Sequence, residues 1–541
     1  MNFSVDRRAL VKTGLLGLGA LSMPGTAAIL TAQGFTHGVA SGEPSQNSVL
    51  LWTRYAAAND TRLRAELARD INFTHIVGGG DVTARGETDH TAKITIGDLP
   101  ANSWLYYRFV APDGSMSRIG RTRTLPQGDV SRFGIGLFSC SNMGFGWFNA
   151  YGHAAKRNDI DLMIHVGDYF YEYNPGKYPD PSQAVPGRIL QPDHETVTLA
   201  DYRLRYAAYR LDEDLQALHA AFPMIARWDD HESANDSWKG GAENHQPDSE
   251  GGWSVRKAAA ERAYREWLPV SDRPWDSYQI GTLATIFLPE TRLTARTQQV
   301  DLASALKGKS DIQAALTRFR DTVWLDPSHR LMGADQEKWL FDGLAQSKKS
   351  GTQWQILAQQ VVMGPLSAPS ALTDWLPADA PAYVRQRAMV GLAAAKAGLP
   401  FNFDSWDGYP VDRNRLYEAA LGADADLIVL AGDSHNAWGN NLLHGTDRVG
   451  VEFAGHSVTS PGYEAYFQAV SPTRTAKALI ETNPGLAFCD TSRRGYVSLD
   501  VKPDAVDGTW HFMSTIREHN LALDTSKNMR VRPGVRMLEE I

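Results

Sequence analysis

The 541-residue sequence predicts an α/β fold preceded by a smaller β-sandwich. The length allows two or three domains, and the 43% hydrophobic and 21% charged content is that of a globular protein. Residues 33–127 form short strand-like runs separated by turns, which is typical of an immunoglobulin- or fibronectin-like sandwich. From Phe133 onward, apolar strand-like runs alternate with amphipathic helical segments, which favours an α/β domain over residues 128–541.

The first 32 residues have the pattern of an export signal. Arg7 and Arg8 precede an apolar, Gly-rich run from Thr13 to Leu30. The paired arginines resemble a twin-arginine signal, so we expect residues 1–32 to be removed after passage through the twin-arginine export machinery. The mature protein would then be periplasmic or secreted. The alternative is an uncleaved membrane anchor, which the weak hydrophobicity of the run disfavours.

Charge and hydropathy argue against several classes of partner. The formal net charge is −8 and no block of like charges occurs, so nothing indicates a sequence-specific nucleic-acid surface or an anionic-membrane surface. No later segment is long and apolar enough for stable membrane insertion. The pattern leaves the oligomeric state open.

In the N-terminal region, Ser48–Arg54 alternates as a strand does, and Leu99–Val110 indicates a loop that enters another strand. Asp113 and Gly114 then form a predicted turn. Because no cluster of chemically active side chains falls here, we expect this region to support the larger domain or to form a rim for the substrate.

In the larger domain, seven apolar runs are predicted strands and three periodic segments are predicted helices. The strands are expected at Phe133–Phe138, Asp161–Val166, Met224–Trp228, Leu283–Leu288, Trp354–Val362, Leu427–Ala431 and Val449–Ala454. The helices are expected at Tyr202–Leu218, Ser254–Leu268 and Ala334–Leu344.

Four of these strands are followed by side chains that can bind metals. A lone Asp at a strand end is commonly a turn or a helix cap. Four such ends together indicate a shared site, because function gathers beyond the carboxyl ends of strands in an open α/β sheet. The residues are Cys140; Asp168 and Tyr171; Asp229, Asp230, His231, Glu232 and Asn235; Asp433 and His435.

The types of ligand constrain the metals. A Cys thiolate and a Tyr phenolate beside Asp and His favour a Lewis-acidic ion of high charge such as Fe(III). The remaining carboxylate and amide oxygens suit a harder divalent ion, Ca(II) or Mg(II). Asp168, central among the candidates, is placed to bridge two ions, and two adjacent metals can activate hydroxide for in-line attack at phosphorus.

The motif order resembles that of calcineurin-like metallophosphoesterases, including the purple acid phosphatases, and more closely that of PhoD-type alkaline phosphatases and phosphodiesterases. The resemblance extends over most of the chain and includes the twin-arginine start. Its motifs are His37–Gly42, Phe138–Ser141, Gly167–Tyr171, Trp228–Glu232, Ser405–Pro410, Gly432–His435 and Ser492–Tyr496.

The resemblance implies a catalytic domain built as a two-sheet α/β/β/α metallophosphoesterase sandwich. It implies that Asp168 bridges the metals, and that Cys140, Tyr171 and His435 complete an iron(III) site. In this interpretation Cys140 stands where related phosphatases have an Asp.

The same resemblance implies a second set of ligands, expected to hold calcium. Asp230 and Asp433 belong to this set, with Asn235 as a further candidate. Related phosphatases have a His on the strand that corresponds to Gln355–Val362. This chain offers Gln360 there, next to Gln359, and an amide oxygen agrees with calcium rather than zinc.

Two residues are candidates for roles other than metal binding. His231 would donate a proton to the leaving oxygen, or it would orient a neighbouring carboxylate. Arg292 would contact the phosphate, although the family more often has Asp before the Thr-Arg pair where this chain has Glu290. Tyr169 and Tyr173 are expected to be packing residues.

The resulting hypothesis is an exported, metal-dependent alkaline phosphatase acting on phosphate-ester small molecules. It would hydrolyse monoesters and diesters by attack of a metal-bridged hydroxide and release phosphate for scavenging. The nearest alternative is a dedicated phosphodiesterase, phospholipase D-like or acting on cell-envelope polymer phosphates. A non-catalytic, calcium-dependent envelope-binding protein is another alternative, but structural calcium has no use for a thiolate and a phenolate. A metallohydrolase of carbon esters or amides is the third.

The two cysteines leave one question open. Cys489 falls on no motif and is expected to be a small buried apolar residue. A Cys140–Cys489 disulfide would remove the proposed iron ligand, so the disulfide and the iron site exclude each other.

Overall fold

The computed structural model describes residues 32–380 and 382–541. The predicted export signal lies outside the described residues except for Ala32. The described chain forms two large β-sheets that pack face to face, helices on the outer face of each sheet, and one smaller sheet at the N-terminal side. The predicted α/β fold with an N-terminal β-sandwich is confirmed.

Twenty-one strands occur in these described residues. They are β1 Gly34–Gly42, β2 Val49–Ala56, β3 Thr61–Ala68, β4 Ile76–Ala84, β5 Thr91–Ile96, β6 Trp104–Val110, β7 Gly120–Arg123, β8 Phe133–Phe138, β9 Leu162–His165, β10 Pro223–Ala226, β11 Asp276–Ile280, β12 Ala284–Leu288, β13 Trp354–Ala358, β14 Leu427–Ala431, β15 Ala437–His444, β16 Asp447–Ala454, β17 Leu486–Asp490, β18 Gly495–Val501, β19 Val506–Met513, β20 Leu523–Val531 and β21 Glu539–Glu540. The α-helices are Asn149–Ala155, Leu199–Arg210, Glu213–Ala221, Pro247–Glu250, Trp253–Trp267, Leu302–Leu306, Ile312–Phe319, Ala334–Lys349, Ala382–Lys396, Pro410–Gly422 and Pro472–Thr482.

The two large sheets have different strand orders. The ten-stranded sheet runs β21-β20-β19-β18-β8-β9-β10-β1-β2-β5, and within it β8, β9 and β10 are parallel neighbours. The seven-stranded sheet runs β11-β12-β13-β14-β16-β15-β17, with β12, β13, β14 and β16 parallel. Parallel strands aligned in this way bring their carboxyl ends to one edge of each sheet.

Alternation along the strands separates the layers. In β8, Leu137 faces the second sheet, whereas Phe138 packs under the helices of the ten-stranded sheet. The inner layer also holds Ile164 and Ile428, so the sheets share one apolar core. A third buried cluster around Leu344 lies beneath the helices of the seven-stranded sheet. This is the α/β/β/α arrangement that the resemblance implied.

The N-terminal sandwich is continuous with the larger domain. Its four-stranded sheet, ordered β4-β3-β6-β7, packs against β1, β2 and β5 through a core that includes Leu51, Leu63 and Phe109. Strand β1 pairs in parallel with β10, with Ser41 opposite Pro223, so one sheet of the sandwich is continuous with the ten-stranded sheet.

Several predicted element boundaries were wrong. The single helix expected at Tyr202–Leu218 is two helices, because Asp212 stops the first and caps the second by accepting a hydrogen bond from the Leu215 amide at 2.9 Å. Strand β13 ends at Ala358 rather than Val362, since the Gln359 side chain accepts a hydrogen bond from the Val361 amide and so replaces a ladder bond. Within residues 32–380 and 382–541, no helix has the length and apolarity needed to cross a membrane.

Candidate metal centre

The four strand ends identified in the sequence meet at one place. The loops after β8 and β9 are joined by hydrogen bonds from the Cys140 amide to the Gly167 carbonyl and from the Ser141 amide to the Asp168 carbonyl, at 3.2 and 2.9 Å. Gly167 has a φ of 104° and lies so close to Asp229 that a side chain at this position would clash. The loop after β14 belongs to the opposite sheet and completes the site across the core.

The backbone at these loops is unusual. Cys140, Asp168, Asp433 and His435 all have φ between 55° and 62°, in the left-handed region that residues other than glycine seldom adopt. Such conformations are costly and persist where the surrounding structure enforces them, commonly at functional sites. The three loops after β8, β9 and β14 therefore hold these side chains at the expense of local backbone strain.

Cys140, Asp168, Tyr171 and His435 form one cluster. The Tyr171 hydroxyl lies 3.0 Å from Asp168 Oδ2 and 2.9 Å from His435 Nε2. Ligand atoms of Cys140, Asp168 and His435 all lie within 4.8 Å of one another. His435 Nδ1 lies 2.9 Å from the Pro461 carbonyl oxygen, which favours a tautomer with Nε2 free to bind a metal.

Three carboxylates form a second cluster beside the first. Asp229, Asp230 and Asp433 place one oxygen each within 4.8 Å of the others, and Asp168 with Asp230 and His231 forms an overlapping group. Asp168 thus belongs to the first cluster and is linked to the second through Asp230. Asp229 was quoted in the sequence motif but was not selected as a ligand, because sequence alone does not reveal which of two adjacent carboxylates points inward.

The guanidinium of Arg292 lies among these carboxylates. It is fully buried and donates to Asp229, to Asp433 at 3.0 Å and to both oxygens of Asp404 at 2.7 and 2.8 Å. Sequence reasoning missed Asp404. The signal in the sequence that could have identified Asp404 was its position immediately before the Ser405–Pro410 motif.

Burial and like charge shift the pKa values of the candidate ligands. Burial, together with neighbouring carboxylates, raises the pKa of both Asp168 and Asp433. Burial also raises the pKa of Asp229, to about 6, although Arg292 opposes this shift. The pKa of the Cys140 thiol and of the Tyr171 phenol is raised by burial and by the Asp168 charge. A cation at this position would reverse each of these shifts by stabilising the charged forms.

His231 is held by a carboxylate. Its Nδ1 lies 2.6 Å from Glu172 Oε2, and Glu172 Oε1 accepts hydrogen bonds from the Asn235 amide and the Asn244 side chain at 2.8 Å each. Burial would lower the pKa of His231, but Asp230, Glu172 and Asp168 raise it well above its usual value. These three carboxylates favour the protonated form of the imidazole.

Asn235 and Gln360 lie at the margin of the site. The Asn235 side chain donates to Glu243 at 3.2 Å. The Gln360 side chain accepts from Thr291 and donates to the Pro289 carbonyl at 3.4 Å. Their roles as metal ligands stay predictions.

The two cysteines are buried and free, so the disulfide alternative is absent from the structure. Cys489 packs with Trp438 and Leu486 in a separate apolar cluster, as expected for a residue outside the motifs.

The Ser492–Tyr496 motif contacts residues next to the candidate metal centre. Arg494 Nη1 lies 3.5 Å from the His435 carbonyl oxygen, and the ring of Tyr496 stacks on Phe138 at 5.2 Å. Arg494 also lines a cavity of about 510 Å³ on the Pro461 side of His435.

The donor set fits metal ions. Asp168 Oδ1 and Asp229 Oδ2 are buried and have no hydrogen-bond partner in the described residues. Buried carboxylate oxygens are normally paired, so two unpaired ones inside a cluster of Cys, Tyr, His and Asp indicate cations. This arrangement supports metal dependence.

Comparison with known proteins agrees with this geometry. Residues 133–510 match the family model of the PhoD-like phosphatase, and residues 22–126 match that of the PhoD-like phosphatase N-terminal domain. Alkaline phosphatase D of Bacillus subtilis (strain 168) is 31% identical over 517 residues, covering 91% of this chain and 79% of that protein. A solved structure described as the structure of PhoD superposes with a TM-score of 0.77 at 29% identity, covering 94% of this chain and 92% of that one. The protein is a phosphoric ester hydrolase, and the chain belongs to the PhoD-like phosphatase family.

Proposed function

We propose that the protein is an exported alkaline phosphatase that hydrolyses both phosphate monoesters and diesters and releases phosphate for scavenging. The observation that carries this proposal is the junction at Asp168 between a Cys–Tyr–His cluster and a cluster of aspartates. Two ligand sets of different chemistry, sharing one carboxylate, suit a centre that binds metals of different hardness.

In this proposal Cys140, Tyr171 and His435 would hold Fe(III). Asp230 and Asp433, together with Asp229, which was not among the predicted ligands, would hold Ca(II). When bound, these ions would supply Lewis acidity to activate water and to stabilise charge on the phosphoryl oxygens. Asp168 contributes to both sets. Asn235 and Gln360 are kept as outer ligands that would have to turn toward the ions.

The protein's own residues have separate tasks. Protonated His231 donates to the leaving oxygen, and Glu172 holds the imidazole in position through the 2.6 Å contact to Nδ1. Arg292 neutralises the aspartates and fixes their orientation, since its guanidinium is already engaged by three of them. We therefore assign Arg292 to positioning the ligands rather than to direct contact with phosphate.

The same proposal includes export by the twin-arginine route, with residues 1–32 as signal, 33–127 as a supporting sandwich and 128–541 as the catalytic domain. It places the enzyme in the periplasm or outside the cell. The twin-arginine route carries proteins that are already folded. In this proposal the metals are therefore bound before export.

Metal content and turnover of the mature protein test this assignment. After exhaustive buffer exchange we expect about one iron with calcium alongside, and hydrolysis of an aryl phosphate and of the matched aryl diester. Hydrolysis of the diester alone would favour the dedicated phosphodiesterase. Calcium without iron would remove the roles given to Cys140 and Tyr171. Calcium without turnover would favour the envelope-binding alternative.

A further inference from the structure

The cavity beside the candidate metal centre is built partly from residues that touch the centre itself. Its volume of about 510 Å³ is in the range of pockets that bind small molecules. Thr459 and Pro461 line it. The Thr459 hydroxyl donates to the Asn142 carbonyl at 2.7 Å, and the Pro461 carbonyl oxygen lies 2.9 Å from His435 Nδ1. The cavity is therefore an immediate neighbour of the proposed ligand His435.

This space, called the arginine cavity below, is lined by Arg493, Arg494 and Arg517. Arg494 Nη2 pairs with Glu464 Oε1, and Glu464 Oε2 is buried, so these two charges cancel and no carboxylate oxygen is left to face a ligand. Arg493 pairs with Asp490 through Nε and Nη2 at 2.8 Å each. Its Nη1 has only a distant carboxylate, that of Asp524 at 3.7 Å, and is therefore available to a ligand.

Arg517 is the arginine of this cavity whose charge is not compensated. It forms no ion pair within residues 32–380 and 382–541. Its Nη1 donates to the Gln183 carbonyl and its Nη2 to the Ala184 carbonyl at 3.4 Å. Both acceptors are neutral, so they hold the guanidinium in place without cancelling its charge. The side chain is exposed, so this charge is accessible to a ligand.

The rest of the polar wall also favours an anion. Among the described residues that line the cavity, Glu464 is the only acidic one, and it is engaged by Arg494. Ser492 and Ser514 add hydroxyl groups, which can donate hydrogen bonds. Guanidinium groups bind planar or branched oxyanions through charge-assisted hydrogen bonds. The chemistry of the wall therefore suits a phosphate or a carboxylate.

A row of aromatic rings connects His231 with this cavity. The ring of Tyr173 lies 5.4 Å from that of His231, and the ring of Tyr178 lies 5.7 Å from that of Tyr173. Phe145, which lines the cavity, follows at 4.7 Å from Tyr178. Tyr173 and Tyr178 are partly exposed, so a bound molecule has access to their rings. An alcohol whose oxygen receives a proton from His231 would therefore begin beside Tyr173 and have a continuous surface toward the cavity.

We propose that the arginine cavity binds a second anionic group, a phosphate or a carboxylate, which the substrate carries on the alcohol part of its ester. This proposal rests on the phosphate-ester hydrolysis proposed above for the metal centre. The ester that is cleaved lies at the centre, the alcohol runs along Tyr173 and Tyr178, and Arg517 with Nη1 of Arg493 binds the distal anion. The preferred substrates are thus esters of alcohols that carry a second negative charge, rather than simple alkyl esters.

Binding of phosphonates, which are not hydrolysed, tests the cavity without turnover. The probes are alkane-α,ω-bisphosphonates of increasing chain length and alkyl monophosphonates of the same lengths, measured by calorimetry on the metal-loaded protein. At the length that spans the two sites, we expect the Kd of the bisphosphonate to be about tenfold or more below that of the monophosphonate. Two identical ends give a statistical advantage of about twofold. A ratio no larger than this at every length would overturn the proposal.

Arg517→Gln removes the uncompensated charge and is expected to reduce this ratio to the statistical value. Arg517→Glu is expected to make the bisphosphonate bind more weakly than the monophosphonate. Because Arg517 is exposed, both variants are expected to fold. The matched control is Arg62→Gln, an exposed arginine of the N-terminal sandwich that pairs with Asp81 at 2.7 Å, and it should keep the full ratio. An undiminished ratio in Arg517→Gln would contradict the assignment of the cavity.

Steady-state kinetics extends the test to the reaction. The substrates are α,ω-alkanediol bisphosphates and alkyl phosphates of matched length, and we expect a higher kcat/KM for the bisphosphates, mainly through a lower KM. Arg517→Gln should remove this preference. Turnover of both substrates with equal kcat/KM would count against the cavity alone. No turnover of either, with the bisphosphonate still bound more tightly through Arg517, would count against the proposed function and support the cavity.

Discussion

At the scale of single residues, the geometry of Asp168 agrees with the bridging role predicted for it. Its backbone is held at a φ of 55°, its Oδ2 lies 3.0 Å from the Tyr171 hydroxyl, and its Oδ1 has no hydrogen-bond partner among the described residues. Its amide donates to Glu232 at 3.0 Å, which fixes the loop that presents it. The strained conformation and the unpaired oxygen both agree with a carboxylate held in place for two cations.

We predict that Asp168→Asn abolishes metal binding and hydrolysis, because an amide cannot replace a carboxylate shared by two ions. Metal content by elemental analysis and turnover of an aryl phosphate are the measurements. Asp113→Asn, in an exposed turn of the N-terminal sandwich, is the control and is expected to change neither. Full activity of Asp168→Asn with an empty site would contradict the proposed centre.

Glu172→Gln tests the proton-donor role of His231. Glu172 contributes to the raised pKa of His231, so replacing its charge lowers that pKa. A group whose donating form is protonated loses activity as pH rises through its pKa, so the alkaline limb of kcat is expected to move to lower pH. His231→Ala is expected to lower kcat about 100-fold or more. If His231 only orients a carboxylate, Glu172→Gln would lower kcat evenly at every pH.

At the scale of elements, the helix Leu199–Arg210 shows how local chemistry sets boundaries. Thr198 and Asp201 form a capping box at its start, with the Asp201 carboxylate accepting from the Thr198 amide at 2.8 Å. Its far end is set by Asp212, which begins the next helix. The helix carries Arg205, Tyr206 and Arg210, so its two ends determine where these buried groups lie.

Removal of this cap gives a prediction with a definite pH dependence. Thr198→Ala is expected to lower the free energy of unfolding by about 1 kcal/mol, and Thr198→Ser to restore most of it.

Burial would raise the pKa of Asp201, but hydrogen bonds from Thr198 and His194 lower it below 3.8. A lowered carboxylate pKa contributes stability above pH 3.8, and this stability is lost as pH falls through the folded-state pKa.

Asp201→Asn therefore should be less stable than the unmodified protein at neutral pH, and the difference should shrink below about pH 3.8. Denaturant unfolding at a series of pH values measures it. A difference that grows on acidification would rule out the cap as the source.

At the scale of the whole molecule, the two sheets place four aspartate side chains close together at one site. Asp168, Asp229, Asp230 and Asp433 come from three strand ends of two sheets, and Arg292 is the cation in contact with the last three of them, at distances up to 3.9 Å. Such a cluster destabilises the sandwich unless cations bind it.

Metal removal should thus lower stability together with activity. Calcium chelation is expected to lower the Tm and stop hydrolysis, and calcium addition to restore both, since each tenfold fall in free ion costs about 1.4 kcal/mol near saturation. Asp433→Asn, which carries one charge fewer, is expected to show a smaller fall in Tm on chelation. An unchanged Tm after complete metal removal would contradict a metal-stabilised site.

Much of the fold was predictable because its signals are local. Strand runs such as Phe133–Phe138 and Leu427–Ala431 were located to the residue, since fully buried strands are continuous apolar segments ended by Gly or polar residues. The strand-end motifs of Cys140 and His435 were visible for the same reason. The resemblance then supplied the layer order that periodicity does not contain.

The sequence by itself determined the element types, the four strand ends with candidate ligands and the chemistry of their donors, because propensity, turn chemistry and ligand type depend on neighbouring residues. Tertiary structure decided that Asp229 points inward, that Arg292 is engaged by Asp404, and that β1 extends the ten-stranded sheet. These facts depend on distances between segments that are far apart in the chain. Such distances are set by packing two sheets across a common core, and no local pattern records them.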